Sequence, residues 1–296
     1  MSAQSNKDEK STVSLYSNMS DNSALREIQL ACYEILKRFV SVCEANNLRY
    51  YLGYGTLLGA IRHNGFIPWD DDIDVWMPRP DMEFFLKNCH EEMLPYKIGY
   101  YNQETRTCRS QPCIKNLDFQ VGTNAGGKIK KTAIFIDIMP LDGMPKNTKV
   151  QKIHCMWFRF WYTVTSFARS SINGAHAPES AKGLKKIGIR LNEKLKIGKL
   201  LNFTECMDAF EKLRTKYSFD ASDYVIGATT VYIDKAVFPK SWITGTRKQS
   251  YEDGEFSIPT EAEKILAQLY GNYMVIPPLE KRTTSHIIVS DLEAHS

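Results

Sequence analysis

Several features are missing from this sequence, and each absence excludes a class of protein. No run of about twenty uninterrupted apolar residues occurs, so a membrane-spanning helix is not predicted. Residues 1–22 are polar and carry no apolar run, which predicts a disordered tail rather than a secretion signal. The net charge is only +4, and no basic patch is interleaved with aromatic residues, so nucleic acid is not expected as a partner.

Paired cysteine motifs are also missing. The seven cysteines are scattered and form no C-x-x-C pair. Cys108 and Cys113 are the closest two, and no histidine lies near them, so a zinc site is not favoured. Reduced thiols in a cytoplasmic protein are the natural interpretation. With 43% hydrophobic residues in 296, the chain can bury the core of one elaborated domain or of two small ones.

The most informative stretch is residues 53–78, which read GYGTLLGAIRHNGFIPWDDDIDVWMP. Its four carboxylates fall within five positions: Asp70, Asp71, Asp72 and Asp74. Like charges packed so densely cost stability unless a cation or a proton compensates them. The alternation from Asp72 to Val75 predicts a β-strand that directs Asp72 and Asp74 to one face, whereas Asp71 is expected to be solvated. Two carboxylates side by side suit Mg²⁺ or Mn²⁺.

The residues just before the acids predict a phosphate-binding turn. Residues 50–52 are typical of a short strand, Gly53 and Gly55 of a turn, and residues 56–62 of a helix. The start of a helix offers free backbone N–H groups and a positive dipole end, which together bind phosphate. Thr56 would cap this helix or bond a phosphate oxygen.

Clustered acidic residues also occur in other classes of protein. A calcium loop needs Gly and Glu where this chain has Val75 and Asp81. A metal-dependent glycosyltransferase would hold a nucleotide diphosphate through a D-x-D motif. That fold usually places a nucleotide-binding α/β half before the motif, whereas only a helix and one strand precede it here. A nucleotidyltransferase that releases pyrophosphate from a nucleoside triphosphate and a non-catalytic binding module are two further alternatives.

The order of strand, glycine turn, helix, loop and D-h-D strand (h is apolar) resembles the nucleotidyltransferase signature of the DNA polymerase β superfamily. More closely, GTLLGAIRHNGFIPWDDDIDV resembles the LicD (fukutin-related) family, and the resemblance extends over residues 25–145 and 237–286. It implies an α+β fold: a nucleotidyltransferase-like mixed sheet flanked by helices.

The resemblance also implies an activity. Members of the family transfer a phospho-alcohol, phosphocholine being the first candidate here, from a CDP-activated donor to a glycan and release CMP. The acceptor would be a cell-surface glycan, such as lipopolysaccharide or teichoic acid, or its lipid-linked precursor. A lipid-linked acceptor would bring the protein into peripheral contact with the inner face of the membrane.

A second informative stretch, residues 133–142, reads AIFIDIMPLD and predicts a buried strand with Asp137 in its middle. A carboxylate there needs a cation or a donor. The resemblance implies that Asp137 is the third carboxylate, which either completes a second metal site or accepts the proton of the incoming hydroxyl. Asp142 is expected to open the following turn with Gly143.

The predicted site follows from these stretches. The predicted catalytic residues are Asp72, Asp74 and Asp137, and Asp70 joins them as a fourth ligand of Mg²⁺ or Mn²⁺. The predicted donor-binding residues are Gly55, Thr56, Arg62 and Lys115, the last on a strand that faces the acids. Arg79 is expected to be a surface residue.

The remaining elements define a domain organisation. Apolar spacing predicts helices over residues 23–46, 80–94, 149–172 and 204–217, and residues 251–256 carry a hairpin signal. In the third of these helices a stripe is expected to pack: Ile153, Trp157, Phe160, Trp161, Val164 and Phe167. Residues 181–199 form a basic segment, for which a solvated face and a surface that contacts anionic lipid are the two alternatives. We predict a tail (1–22), a nucleotidyltransferase-like core (23–145), a helical insertion (146–220) and a C-terminal part that completes the catalytic domain (221–296).

Overall fold

The structure, a computed structural model, describes residues 19–101, 109–125, 128–173, 200–227 and 232–282. Its centre is a mixed sheet with the strand order β1-β2-β5-β4-β3. Strand β6 also pairs with β5, and β7 pairs with β6. Of the described strand pairs, β2–β5 is parallel and the rest are antiparallel. The strands of this sheet are β1 (Tyr51–Leu52), β2 (Asp74–Pro78), β3 (Lys97–Gly99), β4 (Cys113–Ala125), β5 (Lys128–Met144), β6 (Tyr224–Ile226) and β7 (Val237–Pro239).

Helices flank this sheet, and the predicted α+β fold is confirmed. The described helices are α1 (Met19–Ala45), α2 (Tyr54–His63), α3 (Arg79–Asn88), α4 (Thr148–Asn173), α5 (Phe203–Arg214) and α6 (Ala262–Tyr270). The predicted hairpin is confirmed as β8 (Thr246–Tyr251) and β9 (Gly254–Pro259). Helix α3 ends at Asn88 with Cys89 as its C-cap, six residues before the predicted end at residue 94.

Helix α1 forms one wall of the core, as its apolar spacing predicts. Ile28, Ile35 and Phe39 are fully buried. The Phe39 ring meets Tyr50 and Phe85 edge to face, with centroids 5.7 and 5.2 Å apart. Each such side chain contributes about 1.5–3 kcal/mol when fully buried. This wall supports the sheet at β4 and β5.

The predicted packing face of α4 is wrong over its first half, whereas Trp161 and Val164 of the predicted stripe do pack, partly buried, against the core. Ile153, Trp157 and Phe160 are 52%, 47% and 50% exposed, whereas Phe158 and Thr165 are buried. The helix packs on α5 through Phe158, whose ring centroid lies 4.8 Å from that of Phe210. Because α4 carries apolar residues around most of its circumference, periodicity could not select the buried side.

A buried charge cluster joins α3, β5 and α5, and it corrects two predictions. Asp142 lies inside β5 rather than in a turn, and it accepts hydrogen bonds from Arg79 Nε (2.6 Å) and Arg79 Nη2 (2.9 Å). Arg214 Nε donates to the same carboxylate at 3.1 Å, and Glu211 accepts from Nη1 of both arginines. Arg79 is therefore buried and not a surface residue, because a carboxylate on the adjacent strand compensates its charge.

Two sequence predictions fall largely outside the described residues, namely the tail and the basic segment 181–199. Cys108 lies outside them as well, and the six described cysteines are free and buried. Within the described ranges, no helix combines the length and the apolar character needed to cross a bilayer.

Candidate active site

Two aspartates lie side by side at the centre of the sheet. Asp74 of β2 is the register partner of Asp137 of β5, and the Asp137 N–H donates to the Ile73 carbonyl at 2.9 Å. Register partners on parallel strands about 4.8 Å apart direct their side chains to the same face. The structure therefore places Asp137 beside the D-h-D motif, as the sequence predicted. Its catalytic role stays a prediction.

The other carboxylates lie in the loop that leads into β2. The strand begins at Asp74, so the prediction that Asp72 belongs to it is wrong. Carboxylate oxygens of Asp70, Asp71 and Asp72 all lie within 4.8 Å of one another. Asp71 is 2% exposed, which contradicts the solvated position expected for it. A compact acidic loop, rather than a regular strand, therefore presents the first three carboxylates.

The carboxylates at this centre shift the titration of Asp74. Burial raises the pKa of Asp74 well above its usual value, and the carboxylates of Asp72, Asp137 and Asp70 raise it further. A donor set made only of carboxylate oxygens is what Mg²⁺ and Mn²⁺ prefer. The residues present therefore fit a divalent cation, with Asp71 as a candidate ligand that sequence reasoning missed.

Helix α2 begins at Tyr54, one residue after its cap Gly53, so Gly55 and Thr56 belong to its first turn. Thr56 does not cap the helix. Its buried hydroxyl accepts the N–H of Asp74 at 2.9 Å, which fixes the start of β2 against α2. A Cβ added at Gly55 would lie 2.8 Å from Asp70 Oδ2, so this position must be glycine for Asp70 to keep its place.

We expect Gly55→Ala to lower Mg²⁺ affinity and turnover by roughly a hundredfold, because the methyl group displaces the Asp70 carboxylate. Alanine favours the helix by about 1 kcal/mol over glycine, so the melting temperature should not fall much. Titration calorimetry with Mg²⁺ and thermal melting measure the two effects. The control is the same change in an Asp70→Ala background, where its effect on affinity should vanish. An equal effect in both backgrounds would contradict this mechanism.

Gln29 of α1 and the hairpin hold the acidic loop from two sides. The buried Gln29 amide donates to the Asp70 carbonyl at 2.9 Å and to the Ile67 carbonyl at 3.5 Å. At the hairpin turn, the Glu252 side chain accepts the N–H of Phe66 at 3.1 Å. These bonds give side-chain partners to the Asp70 carbonyl and the Phe66 N–H, and they fix the loop before the acids.

We expect Gln29→Leu to reduce Mg²⁺ affinity by about 10–100-fold, the usual effect of removing a group that orients metal ligands. It should also cost about 1–3 kcal/mol of stability, because two carbonyls lose a donor. Gln268→Leu is the matched control, since Gln268 donates to the carbonyls of Lys235 (2.6 Å) and Val237 (2.8 Å) on another part of the chain. That control should lose stability while its Mg²⁺ affinity is unchanged. Equal losses of affinity would refute a specific role for Gln29.

Two basic residues lie on the same face of the sheet as Asp137. Lys115 of β4 is the register partner of Phe135, two residues before Asp137, and therefore shares its face. Arg109 was missed by sequence reasoning: its guanidinium pairs with Asp137 and lies 4.0 Å from the centroid of the Phe135 ring. Arg109 precedes β4 in a segment without periodicity, so no sequence pattern singled it out. Basic side chains beside carboxylates commonly bind phosphate, and the donor-binding role of Lys115 stays a prediction.

Arg62 lies at the end of α2 and connects it to the C-terminal part of the chain. Its Nη1 donates to the Tyr273 carbonyl at 2.7 Å, and its Nε donates to the His63 ring at 2.9 Å. Burial lowers the pKa of the Arg62 guanidinium. Its role toward a donor stays a prediction.

The sheet and its acidic centre define the class of protein. A helix opened by glycine, a D-h-D motif that leads into β2 and a third carboxylate on the neighbouring parallel strand form a nucleotidyltransferase-like centre on an α+β fold. Such an arrangement handles phosphate groups through a carboxylate-bound cation.

Comparison with known proteins defines the family. Residues 47–173 match the family described as LicD/FKTN/FKRP, nucleotidyltransferase domain. Lipopolysaccharide cholinephosphotransferase LicD of Haemophilus influenzae is 30% identical over 273 residues, which cover 89% of this chain and 96% of that protein. Ribitol 5-phosphate transferase FKRP of Homo sapiens is 49% identical over 61 residues, 21% of this chain and 12% of that protein. The chain therefore belongs to the LicD family and is a LicD-type phosphotransferase.

Proposed function

We propose that this protein transfers phosphocholine from CDP-choline to a hydroxyl of a cell-surface glycan or of its lipid-linked precursor, and releases CMP. The observation that carries the proposal is the similarity to the Haemophilus influenzae cholinephosphotransferase over 96% of that protein. The carboxylate centre at Asp74 and Asp137 supports it with the chemistry that phosphoryl transfer needs. The reaction would take place in the cytoplasm at the inner face of the membrane.

Asp70, Asp72, Asp74 and Asp137 would hold Mg²⁺ or Mn²⁺, and Asp71 would serve as a further ligand or as a partner of one. When bound, the cation neutralises charge on the donor diphosphate. Gly55 and Thr56 lie in the first turn of α2, where free backbone N–H groups favour phosphate. Lys115 and Arg109 would contact the donor from the other side of Asp137, and Arg62 is the remaining proposed donor contact.

The proposed reaction moves phosphocholine from CMP to the acceptor hydroxyl. The acceptor hydroxyl oxygen forms a bond to the phosphorus that carries choline, and the bond from that phosphorus to the CMP oxygen breaks. The hydroxyl proton passes to a base, for which Asp137 is the candidate if it does not serve wholly as a metal ligand. Arg109 pairs with Asp137 and would hold this carboxylate in place.

Calorimetric titration with CDP-choline, CDP-ribitol, CDP-glycerol, UDP-glucose and ATP, each with and without Mg²⁺, tests the proposal. Binding of CDP-choline that depends on Mg²⁺, with CMP as the product, is the expected result. Preference for CDP-ribitol or CDP-glycerol would keep the reaction and change the alcohol. Binding of UDP-glucose alone, or release of pyrophosphate from ATP, would replace the proposal by a glycosyltransferase or a nucleoside triphosphate-dependent enzyme.

A further inference from the structure

Helix α4 presents an apolar surface to solvent, which we call the outer face of α4. Its side chains are 39–59% exposed: Val150, Ile153, Met156, Trp157 and Phe160. Their spacing of three and four residues places them on one side of the helix, away from the buried Phe158. The Trp157 and Phe160 rings lie with centroids 5.5 Å apart. A contiguous exposed patch of this kind marks an interaction site.

Lysine side chains lie beside this face. Lys149 and Lys152 are exposed on α4, and Lys146 is exposed just before it. Residues 146–199 contain twelve Lys or Arg and two Glu, a net charge of +10 in a chain whose total is +4, so the remaining residues carry −6. Helix α4 itself contains no Asp or Glu. The basic charge of the protein is therefore concentrated on and immediately after α4.

We propose that the outer face of α4 docks onto the surface of an anionic phospholipid bilayer. The apolar and aromatic side chains would enter the boundary between head groups and acyl chains, where tryptophan is favoured, and the lysines would contact anionic head groups. A second copy of this chain is the less suitable occupant, because a symmetric contact would bring the lysines of both copies together.

The other end of α4 reaches the candidate site. Arg169 Nη1 donates to Ser110 Oγ at 3.4 Å, next to Arg109, which pairs with Asp137. One rigid helix thus connects the docking face with the carboxylate centre. The inference deepens the membrane contact of the proposed function, and it identifies a lipid-linked acceptor, presented at the bilayer surface, as the substrate class that this geometry favours.

Vesicle flotation tests the inference with the full chain. We expect the protein to float with vesicles that contain phosphatidylglycerol and to bind pure phosphatidylcholine vesicles much more weakly. Trp157→Ser combined with Phe160→Ser should reduce binding more than roughly tenfold. Lys149→Gln and Lys152→Gln should each reduce it about fivefold, and less in high salt. The matched control on α3, Phe84→Ser with Lys87→Gln, also alters exposed side chains and should bind like the unchanged protein.

The inference would be overturned if the protein floated with neither vesicle type. It would also be overturned if the α3 control lost as much vesicle binding as the α4 variants. A dimer in solution that the α4 substitutions dissociate would overturn it too, because the face would then belong to a second copy. CDP-choline binding without vesicles separates this test from that of the proposed function. The α4 variants should retain it, so failure to float would leave the transfer reaction standing.

Discussion

Asp74→Asn is expected to lower transfer by roughly a thousandfold or more while the fold stays intact. The substitution removes one charged ligand from a centre whose cation supplies several kcal/mol of transition-state stabilisation. The side chains of asparagine and aspartate have the same shape, and fewer like charges crowd the site, so the metal-free variant should be no less stable than the unchanged protein. Steady-state release of CMP and thermal melting measure the two effects.

Mg²⁺ separates this prediction from a merely structural role of Asp74. Mg²⁺ at a hundredfold excess over its dissociation constant should stabilise the unchanged protein by about 2.7 kcal/mol and should stabilise Asp74→Asn far less. Asp118→Asn is the matched control, because Asp118 is exposed on β4 away from the carboxylate cluster. Near-normal turnover of Asp74→Asn, or equal stabilisation by Mg²⁺ in all three proteins, would remove Asp74 from the proposed metal site.

Asp142→Asn is expected to produce the largest loss of stability, about 3–5 kcal/mol, out of the roughly 5–15 kcal/mol that hold a domain together. The change leaves the buried guanidinium groups of Arg79 and Arg214 with Glu211 as their remaining carboxylate. Urea unfolding measures the loss. The control, Asp234→Asn, breaks an exposed pair with Arg159 and should cost less than about 1 kcal/mol. Similar losses in the two variants would show that the buried cluster is not special.

The same cluster makes the free energy of unfolding depend on pH in acid. Burial alone would raise the pKa of Asp142, but the charges and hydrogen bonds of Arg79 and Arg214 outweigh burial and hold this pKa below its usual 3.8. Because the pKa is lower in the folded state, the stabilisation is complete at neutral pH and is lost as the pH falls below 3.8 through the folded-state pKa. Unfolding curves of the unchanged protein and of Asp142→Asn should therefore approach each other in acid. A constant difference down to the lowest pH would contradict this assignment.

The sequence predicted the centre of the site better than its surroundings. Alternation of polar and apolar residues located β2 and β5, and a carboxylate within each pattern led to Asp74 and Asp137. The loop before β2 differs from the prediction because the alternation continues back to Asp72, whereas the backbone turns at residues 68–69, where the Asp70 N–H bonds the Ile67 carbonyl, and the strand begins only at Asp74. Asp71 is buried in this loop, and residue type alone gave no sign of it.

Contacts between distant segments explain the other differences between the sequence predictions and the structure. Arg79 and Arg214 meet Asp142 across three elements, and no local pattern shows that two arginines will share one carboxylate. Helix α4 was located correctly, but its outer face was expected to pack because several of its sides are equally apolar. Arg109 reaches Asp137 from a segment without regular structure.

The position of β5 has a consequence for how the site can move. This strand pairs with β2, β4 and β6, and it carries both Asp137 and Asp142. The carboxylate of the proposed chemistry and the carboxylate of the buried charge cluster are therefore held by one continuous backbone. Local opening of the sheet at Asp137 would also strain the cluster at Asp142, so the two should open as a single cooperative unit. We therefore expect conformational changes that accommodate a substrate in the loops and helices around β5, and not in the strand itself.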